Sequence, residues 1–246
     1  MAVRIAMWSG PRNISTAMMR AWESRDDAAV VDEPLYAHYL LATGADHPGR
    51  DEVLATHDAD WRSVVARLLG PISGGRAILF QKHMAHHLLD SMSREWLTEM
   101  RHAFLIRHPR EMLISLSKNL PDPKLADTGL PQQVEILEYV ECRAGAPAPI
   151  LDARDVLENP RGMLTALCAA LAVPFQEAML SWPPGRRATD GVWAPHWYAN
   201  VERSTGFAPY RPPTEPLAPA LEPLLAECMP YYERLRANRL TASVGG

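Results

Sequence analysis

The stretch Ser9-Gly10-Pro11-Arg12-Asn13-Ile14-Ser15-Thr16 follows a short apolar run and precedes a helical pattern, which makes it the first place where residue types could do chemistry. A helix that starts straight after a tight turn exposes backbone N–H groups without partners and the positive end of its dipole, a pairing that holds phosphate or a similar oxyanion. Arg12 adds a fixed positive charge, and Ser15 and Thr16 add hydroxyl donors. The plain alternative is an ordinary strand-to-helix turn with Ser15 as N-cap. The nucleotide-triphosphate loop GxxxxGK[ST] is a poor match, because the second glycine and the lysine are missing after Gly10. A second set of donors comes from Arg107 and Ser115, eight residues apart. Arg107 can grip a phosphate in bidentate fashion, and Ser115 lies two helical turns further on. His83, His86 and His87 have spacings that would put them on one helix face, but no acidic or cysteine ligand joins them, so no metal is expected.

These residues need elements to position them. Residues 3–8, 28–32, 77–81, 103–106 and 150–152 read as strands, the last one weakly. Between them, helical spacing covers 16–22, 61–69 and 110–119, and a helix is expected after the third strand to about Met100. Further helices follow Pro160 and span 221–235. Alternating strands and helices predict a mostly parallel sheet with right-handed crossovers and ligands beyond the carboxyl ends of the strands. Glu33, Lys82, His83 and Arg107 fall at such ends. Residues 183–219, rich in proline, tryptophan and arginine, read as a lid or long loop whose aromatics need burial.

Pro11-Arg12-Asn13-Ile14-Ser15-Thr16 resembles the 5'-phosphosulfate loop of sulfotransferases, with Asn13-Ile14 where serine and glycine usually stand. Phe104-Leu105-Ile106-Arg107-His108-Pro109, continued to Ser115, resembles that family's 3'-phosphate segment. Residues 150–160 are similar to its scaffold. Residues 190–198 with Ser204-Thr205-Gly206-Phe207 resemble a sulfotransferase-like group sometimes labelled aminotransferase-like, although no segment supports a pyridoxal-phosphate lysine site. The resemblance implies a P-loop-type three-layer α/β fold, a single domain over 1–246, and 3'-phosphoadenosine 5'-phosphosulfate as donor. It implies donor contacts from Arg12, Asn13, Ile14, Ser15, Thr16, Arg107 and Ser115, with Arg186 and Arg187 like the family's Arg-Lys-Gly element. Arg12 is then the charge stabiliser, Glu33 the first choice of base, and His83 its partner or the base itself. Lys82 and Trp193 are expected on the acceptor side, with Trp197, Tyr198 and Phe207 covering adenine or acceptor, or forming a satellite core. No metal is required for this chemistry. The alternatives are a small-molecule kinase, needing Mg2+ on Asp32 or Asp152, and a nucleotide-binding protein without transfer chemistry.

Composition narrows the partners. Net charge is -4 with acids and bases interspersed, so no basic footprint points to nucleic acid. No run approaches the roughly 20 apolar residues that span a bilayer. The three cysteines form no CxxC pair, which fits a reducing cytoplasm. The N-terminal residues read as a strand in place of a signal peptide. A small-molecule acceptor is the expected partner, and the oligomeric state is left open.

Overall fold

The computed structural model describes residues 2–242. In chain order the elements are β1 (Val3–Ser9), α1 (Ser15–Glu23), β2 (Ala28–Asp32), α2 (Tyr36–Thr43), α3 (Arg50–Thr56), α4 (Trp61–Leu69), β3 (Ile78–Met84), β4 (Arg101–Ile106), α5 (Pro109–Leu116), α6 (Leu130–Ala144), β5 (Ile150–Asp152), α7 (Ala153–Glu158), α8 (Pro160–Ala170), α9 (Ala194–Trp197), α10 (Ala199–Glu202) and α11 (Glu222–Ala237). The five strands pair in parallel in the order β2-β3-β1-β4-β5. β1 is central and buried on both faces, so it reads as a nearly continuous apolar run. Its alternate residues enter two cores. Ile5 and Met7 pack with Met18, Trp22, Met163 and Leu167 from α1 and α8. Ala6 and Trp8 pack on the other face with Val64, Leu113, Val134 and Leu225 from α4, α5, α6 and α11. The result is a three-layer α/β fold with the strand ends of β1, β2, β3 and β4 gathered along one edge.

Three expectations need correction. β3 continues through Lys82, His83 and Met84, which register against Met7, Trp8 and Ser9 of β1. The helix expected to about Met100 is absent, and the chain makes short 3-10 turns at Ala85–His87 and Glu95–Glu99. The reason is local: Arg94 donates to the carbonyls of Leu89 and Met92 at 2.7 and 2.8 Å, and Ser93 accepts from the Glu95 N–H at 3.2 Å. Side chains thus satisfy backbone groups that a helix would have paired internally. α5 is also shorter than the spacing suggested, ending at Leu116. Among the described residues, no helix is long and apolar enough to cross a membrane.

Candidate functional site

The turn between β1 and α1 is held from three sides. Asn13 Nδ2 donates to the Leu105 carbonyl at the end of β4 (2.9 Å), and Arg107 donates to the Arg12 carbonyl (2.8 Å). The Gln133 amide, with its oxygen toward the Gly10 N–H, accepts there at 3.2 Å and donates to Leu105 O at 3.2 Å. Gly10 cannot carry a side chain, since a Cβ would stand 2.2 Å from the Thr128 carbonyl oxygen. Arg12 takes a left-handed backbone conformation, with φ 55°. Ser15 is the first helical residue and not the N-cap, which is Ile14 and supplies no side-chain cap. The first N–H groups of α1, on Ser15, Thr16 and Ala17, are therefore free of intrahelical and capping bonds and belong to residues that line a cavity.

Two guanidinium groups flank this helix start. Arg12 Nε donates to Ser115 Oγ at 3.0 Å, and Arg107 Nε pairs with Glu111 at 3.1 Å. Burial, then the neighbouring Arg107 charge, lowers the pKa of Arg12. Two like charges held together with one carboxylate beside them leave the start of α1 short of negative charge.

Strand alternation decides what β3 presents. Lys82 and Met84 line the cavity, whereas His83 points to the opposite face, stacked on Trp8 at 4.4 Å and bonded to Gln81 at 3.0 Å. His83 is therefore corrected from catalytic candidate to core residue, because the strand extends past Gln81 and places adjacent residues on opposite faces. Burial brings its pKa down to about 3. Lys82 reaches Asp32 (2.9 Å), Glu33 (2.6 Å) and the Tyr198 hydroxyl (2.5 Å). An ammonium has three N–H donors, and protein groups use all of them. Lys82 thus holds Glu33 in place and is not free to bind an acceptor, which corrects its expected role. Burial works against its charge, but Asp32 and Glu33 outweigh that and hold its pKa well above the ordinary value.

Glu33 sits just past β2 with φ 37°, and its N–H donates to the Lys82 carbonyl at 2.9 Å. One carboxylate oxygen faces Lys82, and the other lies 4.0 Å from His87 Nδ1. Burial raises the Glu33 pKa, with Lys82 opposing and Asp32 assisting. Tyr198 donates to Asp32 and accepts from Trp193 Nε1 (3.1 Å), while Asp32 also takes the Gly191 N–H at 3.1 Å.

The cavity along these strand ends has a volume of about 510 Å³. Arg12, Asn13, Ile14, Ser15, Thr16, Arg107, Ser115, Glu33 and Lys82 all open on it. Residues 194–208 form part of its wall through Trp197, Tyr198, Ser204 and Phe207. Trp193 is not on that wall: it is 1 % exposed, packed on Tyr36 and bonded to Tyr198, so it supports the site from behind. Arg186 and Arg187 also lie outside. Arg186 is exposed, and Arg187 donates to the Pro183 carbonyl (2.6 Å) with its guanidinium 3.9 Å from Glu23. Their proximity to Gly191 in sequence does not bring them to the cavity, because Arg20 and Asp190 pin the segment to α1 by a buried ion pair at 2.7 Å.

A wall of aromatic and imidazole rings completes the cavity. Tyr36 and Tyr39 each stack on His87 at 4.7 Å, Tyr39 meets His86 edge-on at 5.3 Å, and the Tyr36 hydroxyl lies 2.9 Å from His47 Nδ1. His86 and His87 occupy a 3-10 turn and not one helix face, and no three His, Cys, Asp or Glu side chains among the described residues form a metal-binding group. Tyr36, Asp46, His47 and Asp127 were not singled out by sequence. Only the Tyr36/Tyr39 pair, at helical spacing just after Glu33-Pro34, offered a signal.

Comparison with known proteins bears on the family and the fold. A family model described as a sulfotransferase domain matches residues 3–239. Two Arabidopsis thaliana proteins, branched-chain-amino-acid aminotransferase-like proteins 2 and 1, are each 39 % identical over 95 % of this chain. The chain spans only 41 and 42 % of their lengths. Among solved structures, a sulfotransferase from Alicyclobacillus acidocaldarius aligns with TM-score 0.55 at 14 % identity, covering 99 % of this chain and 98 % of that one. The sulfotransferase domain of the Synechococcus PCC 7002 olefin synthase aligns with TM-score 0.51 at 17 % identity, covering 99 and 91 %. At such identities the likeness is one of fold.

Proposed function

The chain belongs to the sulfotransferase-domain family, and from that premise we propose that it transfers a sulfuryl group from 3'-phosphoadenosine 5'-phosphosulfate to a hydroxyl or amine of a small-molecule acceptor. The observation that carries this reading is the joining, in one cavity, of an uncapped helix start and two like-charged arginines with a partly buried carboxylate held by a lysine. A donor with phosphate groups at both ends fits such a place. The N–H groups of α1, the hydroxyls of Ser15 and Thr16, and Arg12 suit the phosphosulfate, while Arg107 and Ser115 suit the 3'-phosphate.

In the transfer step the acceptor oxygen or nitrogen bonds to sulfur as the bond from sulfur to the bridging phosphate oxygen breaks. Glu33 takes the acceptor's proton, and the electron pair leaves on the phosphate oxygen, where Arg12 and the α1 dipole stabilise it. Lys82 fixes the Glu33 carboxylate through its 2.6 Å contact. The kinase alternative needs Asp32 or Asp152 as metal ligands. Lys82, Tyr198 and the Gly191 N–H already engage Asp32, and Asp152 caps α7, accepts from Tyr232 at 2.7 Å and lies outside this cavity. Calorimetry with 3'-phosphoadenosine 5'-phosphate tests the donor. Micromolar binding at low salt supports it, and binding of ATP with Mg2+ in preference to this nucleotide overturns it. Binding without sulfation of any acceptor in a broad screen favours the non-catalytic reading.

A further inference from the structure

The wall opposite in chemistry to the arginines carries two carboxylates, Asp46 and Asp127, that line the cavity. Neither makes a salt bridge to any cation among the described residues. One oxygen of Asp127 accepts the Lys124 N–H at 2.8 Å, and Lys124 itself turns its ammonium to Asp122. Among the described residues, the only cations lining the cavity are Arg12, Arg107 and Lys82, the first two at the helix start and the third fully engaged by protein groups.

Two imidazoles line the same cavity. His86 and His87 are 8 and 2 % exposed, and the Nδ1 atom of each has no hydrogen-bond partner. That of His87 stands 4.0 Å from the Glu33 carboxylate, which opens on the cavity. Neither histidine offers a countercharge, since burial brings the pKa of His86 to about 3 and that of His87 well below its ordinary value. Burial also lowers that of His47, even though Asp127 and Asp46 act against it.

We infer that the acceptor is an amino alcohol or aminophenol whose protonated amine sits against Asp46 and Asp127, while a separate hydroxyl faces Glu33. This rests on the proposed transfer reaction and deepens it. The amine supplies the charge that the protein leaves out, and the rings of Tyr36 and Tyr39 suit its apolar body. A bound anionic donor in the same cavity would add to the preference for a cation.

The test uses two matched series on protein saturated with 3'-phosphoadenosine 5'-phosphate: tyramine, 4-ethylphenol and 4-hydroxyphenylacetate, and 3-aminopropanol, propanol and 3-hydroxypropionate. Ligand-observed NMR titration reads their affinities. The ammonium members should bind about 10-fold tighter than the neutral ones, with the carboxylates weakest. Asp46→Asn and Asp127→Asn should each shrink that ratio, and together bring it near twofold, with nucleotide affinity unchanged. Asp46 lies on an exposed loop, so its variant tests the idea even if changes at Asp127 disturb the 125–128 turn. Equal or better binding of neutral or carboxylate members, or no binding of either amine at millimolar concentration, overturns the inference. The donor reading fails separately, through loss of nucleotide binding, and the same titrations on nucleotide-free protein still judge the amine preference.

Discussion

Arg107 donates to the backbone carbonyl of Arg12 at 2.8 Å, a bond across 95 residues that sets two positive side chains beside the start of α1. The pair has Glu111 as its carboxylate partner, and Glu111 also accepts from the Tyr210 hydroxyl at 2.6 Å. Arg107→Ala should weaken 3'-phosphoadenosine 5'-phosphate binding by about 10- to 100-fold, the range expected for losing hydrogen bonds to a charged group. Calorimetry measures it, and wild-type affinity should itself fall as salt rises. Affinity unchanged by the substitution would remove Arg107 from the donor site.

Glu33→Gln should lower kcat by about 100-fold or more with nucleotide affinity retained. A base must be ionised to accept a proton. Because burial raises the Glu33 pKa, kcat should rise with pH through a limb above the ordinary carboxylate range. The variant should lose that limb. A pH–rate profile for both proteins decides the point.

Buried histidines should make the fold acid-sensitive. His83 and His86 are held near pKa 3 and His87 well below the ordinary value of 6.5, all chiefly by burial. Below about pH 6.5 the unfolded chain binds protons that the folded chain refuses, so stability falls as pH falls. Each site contributes up to about 1.4 kcal/mol per pH unit. Urea unfolding at a series of pH values from about 7.5 to 5 should show the decline, and His83→Gln should reduce its slope. A flat profile in that window would contradict the assigned burial.

The Arg20–Asp190 ion pair anchors the segment that carries Tyr198. Asp190→Ala leaves the buried Arg20 guanidinium with only its 3.4 Å contact to Glu23 and should cost about 3–5 kcal/mol. Limited proteolysis should then cut within residues 183–219 before other sites. The double variant Arg20→Met/Asp190→Leu should recover much of the loss, since it buries no unpaired charge.

Sequence patterning located all five strands because each is a short apolar run closed by turn or polar residues, and Trp61–Leu69 matched its helix to the residue. The turn between β1 and α1 was legible for the same reason: its residues are contiguous. What was hidden depended on pairing across the sheet. Only the register of β3 with β1 shows that Lys82 and His83 face opposite ways. The Lys82 network joins residues 32, 33, 82 and 198, and no local spacing announces it. Asp46 and Asp127 stand in surface-type turns whose composition reads as solvent-facing, and folding alone brings them to one cavity.

The Asn13 amide ties the turn before α1 to β4. With Gly10 seated against Thr128 and Arg107 on the Arg12 carbonyl, the loop has few alternative shapes to lose when an anion arrives. Binding should therefore involve little ordering entropy, and association should follow a single fast phase limited by encounter. Tightening the site by substitution would then lengthen residence time far more than it speeds capture.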